Sequence, residues 1–443
     1  MINLHKNNQE TVSSTAIRIG DAAFPSPFAQ GLEYSSPARG TWNIVHTGML
    51  IPEAHQIFVC AQGCLRGVVL TAAEMGASHR FSTIAVREDN VLSGNNEELI
   101  IEGVTDILNK LKKKPRAVLI YTSCMHHFIG CDLPHCYSEL RKRFPDIRFT
   151  DCYMNPIMRK SGITPDAKMR MRLYSLLDKC EKLNGKAVNL AGSDLKLDKD
   201  SELYRILSEN GIKLYEVASA KSFDEYLKIS EAKYCITTFP AAIPAGKELN
   251  KKFGQKHLHL PFSFDFDEID LYYNVLCDEL KIERVDFSDI KDRCKNSLYE
   301  LYEKIGKTPI AIDYTSFTRP LSLALLLLSN GFNVTKIYAD SFSSEEKEDF
   351  DKMQKLYPDV LLYPTVDARM RVEPRISAEK IIAIGQKAAY FCNTEYFANI
   401  VENGGYYGYG AIINLCRDVL DAYNNPKDTR GLIQIKGMGC CCI

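Results

Sequence analysis

The sequence predicts an α/β protein made of three open, parallel-sheet, Rossmann-like βαβ domains, and three observations carry that expectation. Short apolar runs alternate with longer amphipathic stretches, the pattern of parallel strands covered by helices. Two stretches repeat one grammar. Val188 to Asp194 (VNLAGSD) leads through a helical stretch to Asn210-Gly211 and returns as an apolar strand, and Ala311 to Pro320 (AIDYTSFTRP) does the same through Asn330-Gly331. Both read as the first βαβ of an open sheet, whose ligands lie at the carboxyl ends of the strands. Finally, 443 residues exceed what one ordinary core organises. Boundaries near Glu181 and Gly306 give an N-terminal domain 1–180, a second domain 181–305 and a third 306–443.

Taken in order, the first strand-to-helix junctions surround Cys60 and Cys64 and then Cys124, where apolar residues give way to Gly-containing sequence. Between them the spacing predicts a helix over Asn96–Lys112 and a strand over Ala117–Tyr121. There follow a helix Asp166–Lys182, a strand Lys186–Ala191, a helix Leu195–Asn210 and a strand Lys213–Val217. Tyr234–Thr237 reads as a strand and Ala245–Phe253 as a helix. The last third gives a helix Phe287–Ile305, a strand Pro309–Asp313, a helix Pro320–Asn330 and strands Asn333–Tyr338 and Val360–Tyr363. The Asn-Gly pairs supply the left-handed residue that stops a helix before the next strand.

Composition excludes several classes of function. A formal net charge of −1 with 25% charged residues leaves no nucleic-acid footprint. The most apolar run, Leu321–Leu328, falls far short of the roughly 20 residues that cross a bilayer, and Met1–Gly20 lacks the apolar core of a signal peptide. The chain is therefore expected in the cytoplasm, bound to neither nucleic acid nor membrane. No G-x-G-x-x-G or G-x-x-x-x-G-K-[ST] occurs, so no dinucleotide or ATP phosphate loop is expected. No Ser-His-Asp order or paired-carboxylate segment supports hydrolysis.

The cysteines carry the chemistry. Fifteen is an odd number, and a reducing compartment disfavours a disulfide framework. Zinc-ribbon spacing is absent. Phe58 to Gly67 (FVCAQGCLRG) and Tyr121 to Leu133 (YTSCMHHFIGCDL) place Cys60, Cys64 and Cys124 at strand ends entering helices, where a thiolate is favoured. An isolated cysteine is more often a small buried hydrophobe. The pairing of two such segments makes these three candidate iron–sulfur ligands, and Cys60 and Cys64 share one face if the turn between them is helical. Cys131, seven residues past Cys124, is badly placed to share a ligand set with it. Cys136, Cys152, Cys180, Cys277, Cys294, Cys392 and Cys416 read as core. One of His126 and His127 is expected to hydrogen-bond toward the cluster or a docking surface. The tail Cys440-Cys441-Cys442 reads either as a metal-collecting segment or as an oxidation-prone end without function.

These segments resemble the nitrogenase component 1 family. Gln62-Gly63-Cys64, then Glu88 to Gly94 (EDNVLSG), then Thr122 to Leu133, are similar to successive cysteine and acidic segments of that family, which normally has Asp where this chain has Cys131. Tyr234 to Phe239 (YCITTF), Thr318-Arg319-Pro320 and Gly405 to Pro426 continue the resemblance to the α subunit in the correct order. The resemblance implies a three-domain α/β subunit, working as a homodimer or with a paralogous subunit. It implies an iron–sulfur cluster at the subunit interface, four-iron or larger, and an ATP-dependent Fe-protein-type reductase that supplies low-potential electrons to reduce a small-molecule substrate. It places Cys235 where the α subunit anchors its catalytic metal cofactor and Arg319 near that cofactor's cavity. The accompanying histidine is missing between Cys392 and Gly410, and a second is missing between Met154 and Lys168. A molybdenum–iron cofactor is therefore not expected, and Cys235 is left to a different metal cluster, a substrate wall or the core. A non-catalytic scaffold for assembling a complex metal cluster is the alternative reading of the same fold.

Overall fold

The computed structural model describes residues 15–38, 40–41, 43–154, 163–375 and 380–429. In chain order the strands are β1 (Ile17–Arg18), β2 (Ala54–Ala61), β3 (Phe81–Val86), β4 (Ala117–Ser123), β5 (Arg148–Met154), β6 (Asn184–Leu190), β7 (Lys213–Glu216), β8 (Ala232–Thr237), β9 (Lys256–His259), β10 (Pro309–Asp313), β11 (Asn333–Tyr338), β12 (Leu361–Tyr363), β13 (Ile382–Ile384) and β14 (Phe397–Ala398). They form three sheets: β3-β2-β4-β5, β7-β6-β8-β9, and β1-β12-β11-β10-β13-β14. Every pairing is parallel except β1 with β12. The α/β class with parallel sheets is the one the sequence predicts.

The chain forms two compact units. One holds Thr41–Lys295 with Val401–Asn414 and contains the first two sheets; the other holds Asn296–Ile400 with 15–40 and 415–429 and contains the third.

Period-two alternation explains how the first sheet is held. On β2, Phe58 and Cys60 enter one hydrophobic cluster while Ile57 and Val59 enter another; on β4, Leu119 and Tyr121 take the first side and Val118 and Ile120 the second. Both central strands are buried on both faces, so β4 reads as a nearly continuous apolar run, and in β2 even His55 and Gln56 are enclosed. The first cluster also takes Ala187 of β6 and Cys235 of β8, so the two sheets of this unit share a core.

Two predicted helices are shorter than expected, for local reasons. The helix that starts at Pro165, capped by Thr164, stops at Arg172. The carbonyl of Arg172 is taken by the Ser175 hydroxyl at 2.8 Å and that of Leu173 by the Tyr226 hydroxyl at 2.6 Å, which removes acceptors from the next turn. The helix expected from Leu195 begins only at Glu202, after the Ser201 cap. Upstream, the Leu197 amide donates to Glu216 Oε1 at 2.7 Å, which holds that segment against β7 instead.

In the other unit, Asp313 at the end of β10 is sealed from solvent. Its carboxylate accepts the Thr315 amide and the Ala388 amide, both at 2.7 Å. Gly385 passes beside it at φ +105°, where a Cβ would lie 2.3 Å from Asp313 Oδ2, so this position admits only glycine. Nearby on the sheet, Arg319 precedes the helix Pro320–Ser329 and pairs with Asp349 at 2.7 Å.

Buried Glu346 adjoins that pair, and its amide donors come from Ser343 and Leu321. Burial pushes its carboxyl up to about 7, against the opposing pull of those amides. A carboxyl whose folded value lies above its unfolded value keeps full stability at acid pH and loses it as pH rises between the two. The expected result is a loss of about 3 kcal/mol between pH 4.5 and pH 7, converting the shift at about 1.4 kcal/mol per unit. Denaturant midpoints across that range should fall in the wild type and fall less in Glu346→Gln; parallel curves would contradict this.

Candidate functional site

The first sheet places the cysteines. From β2 the chain crosses to β3 on one side and then returns to β4 and β5 on the other, so the strand order reverses between β2 and β4. In open α/β sheets the crevice at such a reversal, at the carboxyl ends of the strands, is where ligands bind. Val59 pairs with Thr122 across it, which brings Cys60 level with Ser123 and sets both strand ends side by side.

From these two ends the thiols emerge differently. Cys60 is the penultimate residue of β2, and it is sealed within the hydrophobic cluster that also holds Phe58 and Tyr121. Cys64 stands in the first turn of the helix Gln62–Glu74 and is exposed. Cys124 opens the short helix Cys124–Phe128 and is half-buried. Burial, and then the neighbouring Cys64 and Cys124, push the Cys60 thiol up to about 12, so the three sulfurs share one electrostatic neighbourhood. Among the described residues, no three His, Cys, Asp or Glu side chains of this chain stand close enough to hold a single metal ion.

The surface around Cys64 and Cys124 is open and carries exposed apolar side chains among polar ones such as Arg66 and His127. A Cβ on Gly63 or Gly67 would touch nothing. Leu92, Phe128 and Ile129 follow β3 and β4 at the same carboxyl edge and are exposed, Leu92 by 86% and Phe128 by 70%. Exposed apolar side chains gathered on one edge mark a protein interaction surface.

His126 does not face that surface. It is buried, and its Nδ1 accepts the Ser123 amide at 3.2 Å, closing the capping box that starts the Cys124 helix. The expectation of a surface role falls to His127, which is exposed.

Cys235 lies on β8, paired with Asn189 on β6 and His257 on β9, fully buried in the hydrophobic cluster, and burial pushes its thiol well above the ordinary range. Arg319 belongs to the other compact unit, is 1% exposed, and has the ion pair with Asp349 already described. The Cys440 to Cys442 tail lies outside the described residues.

Sequence reasoning missed a buried charge cluster at the carboxyl end of the second sheet. Arg170 is 1% exposed and reaches Asp194 at 2.5 Å, Asp166 at 3.1 Å and Glu402 at 3.3 Å. It also donates to the Gly192 carbonyl and lies 4.8 Å over the Phe239 ring. The Gly192-Ser193-Asp194 turn was a visible signal. Arg170 was not, because Lys168, Arg170 and Arg172 look alike in sequence.

Comparison with known proteins gives the family to which this chain belongs. The model of the nitrogenase component 1 type oxidoreductases matches residues 45–424, and the chain belongs to that family. Members of the family bind iron–sulfur clusters, form oligomers and work with an Fe-protein partner. Among solved structures, a nitrogenase Cp1 at pH 6.5 superposes with a TM-score of 0.67 at 14% identity, covering 90% of this chain and 95% of that one. A nitrogenase Cp1 at pH 5 gives 0.59 at 12% identity, covering 91% of each. Identities this low show a shared fold. A search of curated protein sequences returns no match. Among the described residues, no helix is long and apolar enough to cross a membrane.

Proposed function

We propose that this chain receives low-potential electrons from an ATP-dependent Fe-protein-type reductase through an iron–sulfur cluster at the carboxyl edge of its first sheet and uses them to reduce a small molecule. The observation that carries the reading is the exposed Cys64 and the half-buried Cys124, which follow the two strand ends flanking the crevice between β2 and β4, on an open edge that exposes Leu92, Phe128 and Ile129. Soft thiolates are the ligands iron–sulfur clusters take, and the donor set fits. Cys64 and Cys124 would hold the group, with thiolates of a second subunit, identical or paralogous, completing it across the rim. Cys60 stands directly behind as a third candidate and reaches outward only by turning from the hydrophobic cluster. Such a cluster supplies one-electron transfer when bound. The apolar residues Leu92, Phe128 and Ile129 keep water from the thiolates once the partner covers them. Cys235 and Arg319, which lie in separate compact units, enter this reading through the family resemblance alone, each as a candidate residue for the use of the electrons.

The test is anaerobic electron transfer from a dithionite-reduced Fe-protein-type ATPase to the isolated chain, followed by the bleaching of its visible absorption. Bleaching that depends on MgATP is the expected result. Equal bleaching without ATP would contradict the reductase half of the proposal.

A further inference from the structure

The buried charge cluster of the second sheet takes no part in the cysteine edge, and its place in the fold is that of a ligand site. The sheet runs β7-β6-β8-β9, so its strand order reverses between β6 and β8, and the crevice at such a reversal is where open α/β sheets bind ligands. Arg170 spans that crevice. Its guanidinium donates to the carbonyl of Gly192, two residues past β6, and lies over the ring of Phe239, two residues past β8. Three carboxylates face this one cation, Asp166 at Nε, Asp194 at Nη1 and Glu402 at Nη2. The Asp166 side chain is 48% exposed and solvated, which leaves two enclosed carboxylates against a single positive charge. Carboxylates enclosed in one site keep a proton between them. Asp194, at 2.5 Å from the guanidinium and 2% exposed, is the ionised member, and Glu402, at 3.3 Å and 21% exposed, carries the proton. In agreement, burial pushes the Glu402 carboxyl well above the usual range against the pull of Arg170, with Asp194 and Asp166 adding to the rise.

Two further observations point to a guest. Glu402 and Asn403 both hold left-handed backbone, at φ +45° and +66°, which non-glycine residues adopt at a cost and which gathers at functional sites. The run is clamped behind them, where the Gly405 carbonyl accepts the Asp198 amide at 2.9 Å. In addition, Asp194 Oδ1 is buried and finds no hydrogen-bond donor among the described residues, which marks a place for a donor that this chain does not supply.

We propose that Glu402 is the acid that hands protons to the substrate, a small polar molecule bearing an N–H or O–H, in the crevice between β6 and β8. This rests on the reading that the chain reduces a small molecule with electrons from an Fe-protein-type reductase. The substrate donates a hydrogen bond to Asp194 Oδ1. As each electron arrives, the O–H bond of Glu402 breaks and a new bond to hydrogen forms on the substrate, so one electron and one proton add one hydrogen. The carboxylate left behind faces Arg170 Nη2, and a proton from solvent restores the acid through the exposed side of Glu402.

The experiment treats the full chain with a water-soluble carbodiimide and glycinamide at pH 5.5 and pH 7.5 and locates the label by peptide mass spectrometry. The carbodiimide takes up the proton of a carboxylic acid as it adds, and the amine then displaces it as a urea, so the label reports a carboxyl that is both protonated and open to a small molecule. Between the two pH values the protonated fraction of a solvated carboxylate falls about 100-fold. The ratio of label at Glu402 to label at exposed carboxylates is therefore expected to rise by more than about tenfold. A constant ratio would show that Glu402 ionises like a surface group, and a Glu402 that takes no label at either pH would show that it is closed to the crevice; either result overturns the proposal. Neither reductase nor cluster enters this readout, so it stands or falls apart from the electron-transfer reading.

Discussion

Replacing Cys64 or Cys124 by Ala is expected to strip the anaerobically purified protein of most of its iron and acid-labile sulfide while leaving its fold intact. The fold survives because Cys64 is exposed and Cys124 half-buried, so neither substitution leaves a closed cavity in a core. The iron is lost because each removes a soft ligand that no neighbouring side chain replaces in kind. Cys60→Ala separates the two views of that residue. A sealed core thiol gives a small loss of stability with iron retained, whereas a ligand gives the loss seen at Cys64. Cys180→Ala, on a residue assigned no part in the cluster, serves as the control and should keep its iron. Iron content with circular dichroism on the same samples distinguishes these outcomes. Full iron in both Cys64→Ala and Cys124→Ala would remove the basis of the proposed site.

The largest expected effect on stability comes from Arg170→Met. Methionine fills the same slot but leaves the Asp194 and Glu402 carboxylates without the guanidinium that faces them. Removing one partner from a buried ion pair costs about 3–5 kcal/mol. The pH dependence has a definite sign. Burial, opposed by Arg170, holds the Glu402 carboxyl well above the usual carboxylate range. Its protonated form is therefore favoured in the folded chain, and the stability it contributes at acid pH is lost as pH rises. Without Arg170 that loss deepens, so the gap between variant and wild type should be larger at pH 8 than at pH 5 in urea unfolding. A gap that is flat or reversed would show that Arg170 does not hold these carboxylates in the folded state.

Much of this architecture could be read from the residues. The central strands β4 and β10 announced themselves because both faces are buried and their apolar runs are nearly continuous, and β11 because Val334, Ile337 and Tyr338 follow directly on the Asn330-Gly331 stop. The Asn210-Gly211 and Asn330-Gly331 stops are visible because a left-handed backbone selects those residues. Strands β3 and β5 and the helix Phe266–Leu280 escaped notice. In β3 only Ile84 and Val86 are buried, and the run Phe81 to Val86 mixes polar residues throughout. Helix ends set by distant side chains, such as Tyr226 at the Leu173 carbonyl, leave no mark in the local sequence. At the candidate site, Cys64 and Cys124 were legible as strand-to-helix cysteines. What sequence does not encode is their adjacency, which comes from β4 pairing beside β2 after the chain has crossed to β3 and back. The inward turn of His126 has the same origin, since it depends on how a short turn packs against its neighbours.

The central claim is that the cysteine edge of the first sheet holds an iron–sulfur cluster shared between subunits. Its most direct test is the iron and acid-labile sulfide content per chain of the protein purified without oxygen, with electron paramagnetic resonance after dithionite reduction. About two irons and two sulfides per chain, with the signal of a reduced cluster, is the expected result for one four-iron cluster between two chains, and about four corresponds to a larger shared cluster. A protein that takes up no iron even after anaerobic reconstitution would contradict the account and return Cys64 and Cys124 to ordinary thiols.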